Sequence, residues 1–181
     1  MKKIAIRSLM FISSYFPLYI FLLVLQFKAE FFYECISIKN LIFLLLMIAF
    51  ILISFFSIYF LTNSKGTNQL RVNGVKRAND EVISYVFTYI IPILSFSLDD
   101  SRMLIVNGLL FALIWFLYIK LNVMYLNPLW ALWGYVSYEA EGCYIITNMM
   151  VDDIKRMNGK ILNGYFLVNG VFVAQKENNI I

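Results

Sequence analysis

Adjacent carboxylates are suited to acid–base chemistry, and on the side of the membrane predicted below to be the inner one they occur as Asp80–Glu81 and Asp152–Asp153. Both pairs lie in charged surroundings where water solvates them, which argues against a catalytic role. The chain has no histidine, and so it lacks Ser–His pairs, His-bearing zinc sites and metalloprotease helices. It also contains no phosphate-binding glycine-rich loop and no CxxC pair. We therefore expect a protein that is not an enzyme and that has no catalytic residue, cofactor or metal ligand.

The composition indicates a membrane protein, because 61% of the 181 residues are hydrophobic and only 14% are charged. A soluble domain of this length cannot bury so much apolar surface. Runs without Asp, Glu, Lys or Arg predict four membrane spans, at about 8–27, 40–62, 82–98 and 103–119. The expected fold class is a mostly α membrane protein, with four transmembrane helices and a small cytoplasmic β-rich C-terminal tail.

The distribution of basic residues predicts the orientation in the membrane. Of the 15 Lys and Arg, only Lys28, Lys39 and Arg102 lie outside when the N-terminus is cytoplasmic, which leaves twelve inside. This bias predicts a multi-pass protein of the cell membrane with both termini in the cytoplasm. The formal net charge of +4 is then explained by contact with anionic membrane lipids, and we expect no direct nucleic-acid binding.

Residues 1–120 are predicted to form the four-span bundle, with an inner loop at 63–81. Pro17 and Pro92 lie near the middle of the first and third runs, and each should bend its helix because proline removes a backbone donor. The serines and threonines inside the runs are expected to bond to their own helix or to a neighbouring one. These polar groups therefore favour helix packing over transport.

The last segment, 143–181, is predicted to be a small cytoplasmic β tail. Residues 143–150, 165–168 and 171–174 have the composition of strands, and Asn169–Gly170 favours a tight hairpin turn between the last two. Three short strands cannot bury enough apolar surface to be stable alone. The tail must therefore dock against the membrane bundle, a sister subunit or a separate protein.

Residues 121–142 are interpreted as an interfacial collar between bundle and tail. Pro128 disfavours helix at Asn127, so the fourth helix should end there and a short new segment should begin. Aromatic rings in this stretch favour the headgroup level, which places the collar along the inner membrane surface. We expect the collar to contact a partner. Its candidate partner-binding residues are Asn127, Pro128, Gly134, Tyr135, Tyr138 and Glu139.

The collar and the first span resemble a known family. The residues that carry the resemblance are Asn127–Pro128–Leu129, Gly134–Tyr135, Tyr138–Glu139 and Phe16–Pro17–Leu18–Tyr19. Together they resemble KwaA, the membrane subunit of the bacterial Kiwa antiphage defence system. The resemblance implies a non-enzymatic scaffold and sensor of the bacterial inner membrane that forms a homo-oligomer. It also implies recruitment of a cytoplasmic DNA-binding effector, a partner protein resembling KwaB.

Two other functions remain open from the residues alone. One is a membrane pore or depolarising effector, although spans without charged residues argue against a conducting path. The other is a membrane protein that gives immunity to a toxin. The neighbouring gene distinguishes these functions, since a DNA-binding protein favours the scaffold and a toxin gene favours immunity.

Overall fold

A computed structural model describes residues 2–26, 38–63, 66–78, 100–121, 125, 127–168 and 170–176, which form a group of helices and a sheet. The helices in this described part are α1 (Lys2–Ser14), α2 (Phe16–Gln26), α3 (Ile38–Asn63), α4 (Ser101–Leu121), α5 (Pro128–Leu132) and α6 (Val151–Arg156). The strands are β1 (Asn68–Arg71), β2 (Lys76–Arg77), β3 (Val136–Ala140), β4 (Cys143–Thr147), β5 (Ile161–Val168) and β6 (Val171–Ala174).

The first apolar run forms two helices instead of one. α1 and α2 meet at Tyr15 with a bend of 46°. Pro17 accounts for the break, because it lacks the N–H that would bond to the Ser13 carbonyl and its ring clashes with that carbonyl in a straight helix. The bend predicted at Pro17 is therefore confirmed. Pro92 lies outside the described residues, so its predicted bend stays a prediction.

The prediction of four transmembrane helices with a small β-rich tail is wrong. In the described residues, α3 and α4 are the two helices long and apolar enough to cross a membrane, and the bent α1–α2 pair makes a third if it counts as one span. The predicted span at 82–98 lies outside the described residues. Apolar windows report length and composition alone, so the first run was counted as one span although it folds as two helices.

The sheet is also larger than the predicted tail. It is mixed and six-stranded, in the order β1-β5-β6-β4-β3-β2, with β4 and β6 parallel and the other neighbours antiparallel. β1 and β2 come from the predicted inner loop, and β3 comes from the predicted collar. The loop strands were missed because edge strands carry polar residues and lack the alternation that marks a half-buried strand.

The sheet curls, because residues 72–75 connect its two outer strands. Edges of a flat six-stranded sheet lie about 24 Å apart at about 4.8 Å per strand. The link from Arg71 to Lys76 makes five Cα–Cα steps, which reach at most about 19 Å. Val72 in this link is buried with Leu162 and with Ile154 of α6. The concave face therefore encloses a core that α6 helps to fill.

The two faces of the sheet bury different residues. Val171 and Val173 of β6 pack into the core shared with the helices, whereas Phe172 and Ala174 pack into the core that contains α6. Every β6 residue is buried, as expected for a central strand covered on both faces. The predicted hairpin is confirmed, since β5 and β6 pair antiparallel across 169–170. The tail strands dock on the helices of their own chain.

Candidate functional site at the junction of helices and sheet

The helices and the sheet meet at a region called here the junction, and its first residue is Asn127, which caps the N-terminus of α5. Its Oδ1 accepts a hydrogen bond from the Leu129 N–H at 3.0 Å, while its backbone is extended. Pro128 follows at the first helical position, where a missing N–H leaves no bond unmade. The predicted end of helix before Pro128 and the short segment after it are thus both present. Asn127 is buried, so its remaining amide hydrogens need partners inside the protein.

Those partners lie on α1, beside the bend. Nδ2 of Asn127 donates to the Ser13 hydroxyl at 2.8 Å, and it lies 3.5 Å from the Met10 carbonyl oxygen. Ser57 of α3 donates to the Ser13 hydroxyl at 3.3 Å. Ser13 and Ser57 are fully buried. This polar network joins α1, α3 and the start of α5, and it confirms that these serines bond to their own helix or a neighbour.

The end of α5 differs from its start because it faces outward. Leu132 is 70% exposed and Trp133 is 46% exposed, whereas Trp130 is buried. The Trp133 ring packs edge-on against Phe55 of α3, with the ring centroids 5.9 Å apart. Gly134 then turns the chain with φ 79°, and an added Cβ there would meet no atom within 4 Å. Backbone conformation therefore favours glycine at 134, and no close contact does.

Aromatic contacts connect this segment to the sheet. The Tyr125 and Tyr144 rings stack with centroids 3.7 Å apart and planes 9° from parallel. The Ser137 hydroxyl donates to the Tyr125 carbonyl at 2.6 Å. Tyr135 is buried in the core shared with the helices. The chain between α4 and β3 is thus held by the sheet at one point and by α1 at another.

The sheet also bonds to the end of α3. Gln175, just after β6, donates from Nε2 to the carbonyl oxygens of Leu61 at 3.0 Å and Thr62 at 2.6 Å. The Tyr165 hydroxyl donates to the same Leu61 carbonyl at 3.2 Å. The last carbonyls of a helix have no partner within it, so these side chains satisfy them. Sequence reasoning missed the contacts of Gln175 and Tyr165, although a glutamine that directly follows an apolar strand was an available signal.

Arg7 ties the end of α4 to the same region. Its guanidinium donates to the Ile119 carbonyl at 3.0 Å, where a cation also interacts favourably with the negative end of the helix dipole. In addition, the Trp115 indole donates to the Ser8 hydroxyl at 3.1 Å. The first half of α1, the end of α4 and the end of α3 therefore lie on the sheet side of the molecule.

The six predicted partner-binding residues fall into two groups. Asn127, Tyr135 and Tyr138 are buried inside the chain. Pro128 is half-buried, and Gly134 and Glu139 are exposed. The structure brings five of them, from Asn127 to Tyr138, into the junction and its adjoining strand as positioning residues. Gly134 and Glu139 are the exposed members of the six, and their contact with a partner stays a prediction.

Tyr138 and Glu139 lie on β3 next to the edge strand β2. Their register partners are Arg77 and Lys76, respectively. The Tyr138 hydroxyl donates to the Met149 carbonyl at 3.4 Å. Burial raises the pKa of Tyr138, with Arg77 lowering it and Asp153 raising it by smaller amounts. Tyr138 is therefore a neutral core residue, and the charges of this edge are on Glu139, Lys76 and Arg77.

The described residues of the junction offer no metal site and no reactive thiol. Within the described ranges, no group of three or more His, Cys, Asp or Glu could hold a metal ion. Cys143 at the start of β4 is a half-buried free thiol, and burial raises its pKa, which disfavours the reactive thiolate. The junction is built for holding parts of the protein together.

Comparison with known proteins bears on the same region. The family model for the anti-phage protein KwaA matches residues 6–171, which run from α1 to the start of β6. The chain belongs to the KwaA family of anti-phage proteins. A relative described as Kiwa protein KwaA, from Escherichia coli O55:H7 (strain RM12579 / EPEC), is 26% identical over 185 aligned residues. The alignment covers 93% of this chain and 94% of that KwaA protein. No solved structure matches the chain.

The resemblance to KwaA read from the sequence is therefore confirmed, and with it a role in antiphage defence in the Kiwa system. The matched range includes the junction residues from Arg7 through Asn127 to Tyr165. Gln175 lies beyond the match.

Proposed function

We propose that the protein is a non-enzymatic scaffold and sensor of the Kiwa system. In this proposal it is a multi-pass protein of the bacterial inner membrane and it forms a homo-oligomer. The sheet lies in the cytoplasm, where it recruits a soluble DNA-binding partner resembling KwaB. The helices respond to phage infection, and the sheet passes that response to the partner.

The bonding of the sheet to the helices is the observation that carries this proposal. Gln175 holds the end of α3, Asn127 holds α1 beside its bend, and Tyr144 stacks on the segment that precedes Asn127. Buried polar contacts of this kind are costly to leave unmade. A displacement of α1 or α3 in the membrane must therefore move the sheet, or break bonds that the sheet makes.

The edge formed by β2 and β3 is the surface proposed for the partner. β2 has two residues, Lys76 and Arg77, and both are exposed. An edge strand presents unpaired backbone groups that another chain can extend. Glu139 lies opposite Lys76 in the register and adds an exposed negative charge. Mixed charges beside an open strand suit the polar rim of an interface.

A charge reversal at Glu139 tests the partner surface. Full-length protein is co-expressed with the product of the neighbouring gene, and capture of that product is measured after affinity purification. We expect Glu139→Arg to lose capture and phage protection while the melting temperature stays that of the parent. Asp152→Arg is the matched control, since Asp152 is exposed on α6, outside the β2–β3 pair, and the charge changes equally. Equal capture by both variants would exclude the edge as the docking surface.

Orientation and assembly are tested separately. A C-terminal fusion to green fluorescent protein should fluoresce, and a C-terminal fusion to alkaline phosphatase should be inactive, because the sheet is placed in the cytoplasm. Light scattering of the purified protein should give a mass above that of one 21.2 kDa chain. An active phosphatase fusion contradicts the orientation, and a monomer contradicts the oligomer.

A further inference from the structure

The depth of α5 beside α3 is set by contacts at both of its ends. At the C-terminal end of α5, Trp133 packs on Phe55, which lies eight residues before the α3 terminus at Asn63. At 1.5 Å per residue, this contact is about 12 Å from the end of α3. At the N-terminal end of α5, Asn127 bonds to Ser13, which in turn bonds to Ser57. Ser57 is about 9 Å from the end of α3. Helix α5 therefore lies across α3, about two turns inside its end.

The end of α3 marks where the sheet begins. Gln175 and Tyr165 bond to the carbonyls of Leu61 and Thr62. Before that point, α3 carries large exposed apolar residues at and around the level of α5, including Leu52, Phe55 and Phe56. Half of a bilayer core is about 15 Å thick, so a level 9–12 Å inside the helix end lies within one leaflet.

Leu132 and Trp133 extend this apolar surface. Both are exposed, and Trp133 touches Phe55, itself exposed on α3. A surface leucine that is 70% exposed gains little from water, but it is stabilised by hydrocarbon at the depth where it lies. This surface continues the exposed face of α3, which is a candidate membrane span. Lipid acyl chains are therefore the partner that fits it.

We propose that α5 is embedded in the leaflet on the sheet side, with Leu132 and Trp133 in contact with lipid acyl chains. The helix lies deeper than the membrane-surface position expected from the sequence. Its exposed end contacts lipid, and its capped start is bonded to α1 at the bend. Packing of the leaflet is thereby coupled to the junction. This inference rests on α3 crossing the membrane, which is part of the proposed function.

Fluorescence quenching in lipid vesicles tests the proposal. Single cysteines that replace Leu132, Leu52 and Met150, in a Cys35→Ser/Cys143→Ser background of the full chain, are labelled with an environment-sensitive nitrobenzoxadiazole probe. Met150 on the sheet side is 73% exposed and so matches Leu132 in accessibility. Lipids brominated on the acyl chain quench from the hydrocarbon, and iodide quenches from water. A probe at Trp133→Cys repeats the measurement in case the Leu132 variant does not assemble.

We expect the Leu132 and Leu52 probes to have blue-shifted emission and stronger quenching by brominated lipid than by iodide. The Met150 probe should show the opposite order. Stronger iodide quenching at Leu132, with lipid quenching at Leu52, would overturn the embedding of α5 and leave the proposed function intact. Iodide quenching at both Leu132 and Leu52 would also contradict α3 as a span. Protection of the Leu132 probe from both quenchers would assign this surface to a protein contact and overturn the proposal.

Discussion

The side-chain amide of Asn127 donates to the Ser13 hydroxyl at 2.8 Å, across 114 residues of sequence. The same side chain accepts from the Leu129 N–H and so caps α5. One asparagine thus fixes a local turn and a contact with α1. Asparagine suits this position because its amide both accepts and donates hydrogen bonds.

Replacing Asn127 with alanine removes the cap and leaves the Ser13 hydroxyl without this donor. Loss of an N-cap costs about 1 kcal/mol, and loss of a buried hydrogen bond costs about 1–2 kcal/mol more. For a chain of this size we expect the melting temperature in detergent to fall by roughly 5–10 °C. Asn127→Asp should keep the cap but lose the donation to Ser13 and bury a negative charge, so its melting temperature should also fall below that of the parent.

Asn68→Ala is the control for Asn127, because Asn68 is exposed on the edge strand β1. Its melting temperature should stay within about 2 °C of the parent, as for a surface substitution of roughly 0.5 kcal/mol. If Asn127→Ala has the same melting temperature as Asn68→Ala, the junction does not depend on the contact between Asn127 and Ser13.

Gln175→Glu should weaken the bond between sheet and α3. The carboxylate has the same shape as the amide but cannot donate, and it places negative charge against the Leu61 and Thr62 carbonyls. We expect a melting temperature below that of Gln175→Leu at pH 7. Lowering the pH should recover part of the loss, because a protonated carboxyl can donate one hydrogen bond. Gln69→Glu on exposed β1 should show no such recovery, and a flat pH profile for Gln175→Glu would contradict the contact.

Ionisation of Tyr138 should lower the free energy of unfolding at alkaline pH. Its pKa in the fold lies above 10.0, mainly because of burial, so the unfolded chain loses this proton first as pH rises. The contribution is complete below pH 10.0 and is lost as pH rises through the folded pKa. Tyr138→Phe should cost less than about 1 kcal/mol at pH 7 and should flatten the decline above pH 10. Melting curves of the parent and of Tyr138→Phe from pH 7 to 11 check this.

Gly164→Ala and Gly108→Ala should have opposite effects. A Cβ at 164 would collide with the Val173 carbonyl oxygen and meet the Phe172 ring, whereas a Cβ at 108 would meet no atom within 4 Å. Overpacking at 164 should cost about 1–3 kcal/mol. Alanine in the helical position 108 should gain up to about 1 kcal/mol. Thermal unfolding of the two variants compares the signs, and a stable Gly164→Ala would contradict the packing of β5 on β6.

Local chemistry accounts for the features that were predicted from the sequence. The bend needs only Pro17, and the hairpin needs only Asn169–Gly170 between two apolar stretches. The edge strands were missed because their stability comes from pairing with distant residues, as Leu70 pairs with Leu162. Burial of Tyr138 was missed for a similar reason. An amphipathic ring fits both a membrane interface and a core, and only tertiary packing chooses between them.

The pairing of β1 with β5 has a consequence for synthesis of the chain. Residues 68–71 leave the ribosome about ninety residues before their partners at 161–164, a delay of roughly 5–20 s at bacterial or eukaryotic elongation rates. During that time the backbone groups of this segment have no strand to pair with. If a ribosome stops early, or a protease removes β5 and β6, residues 68–71 keep backbone groups that no strand pairs with. Strand β5 therefore completes the edge that begins at β1, and until β5 is synthesised residues 68–71 remain open to aggregation.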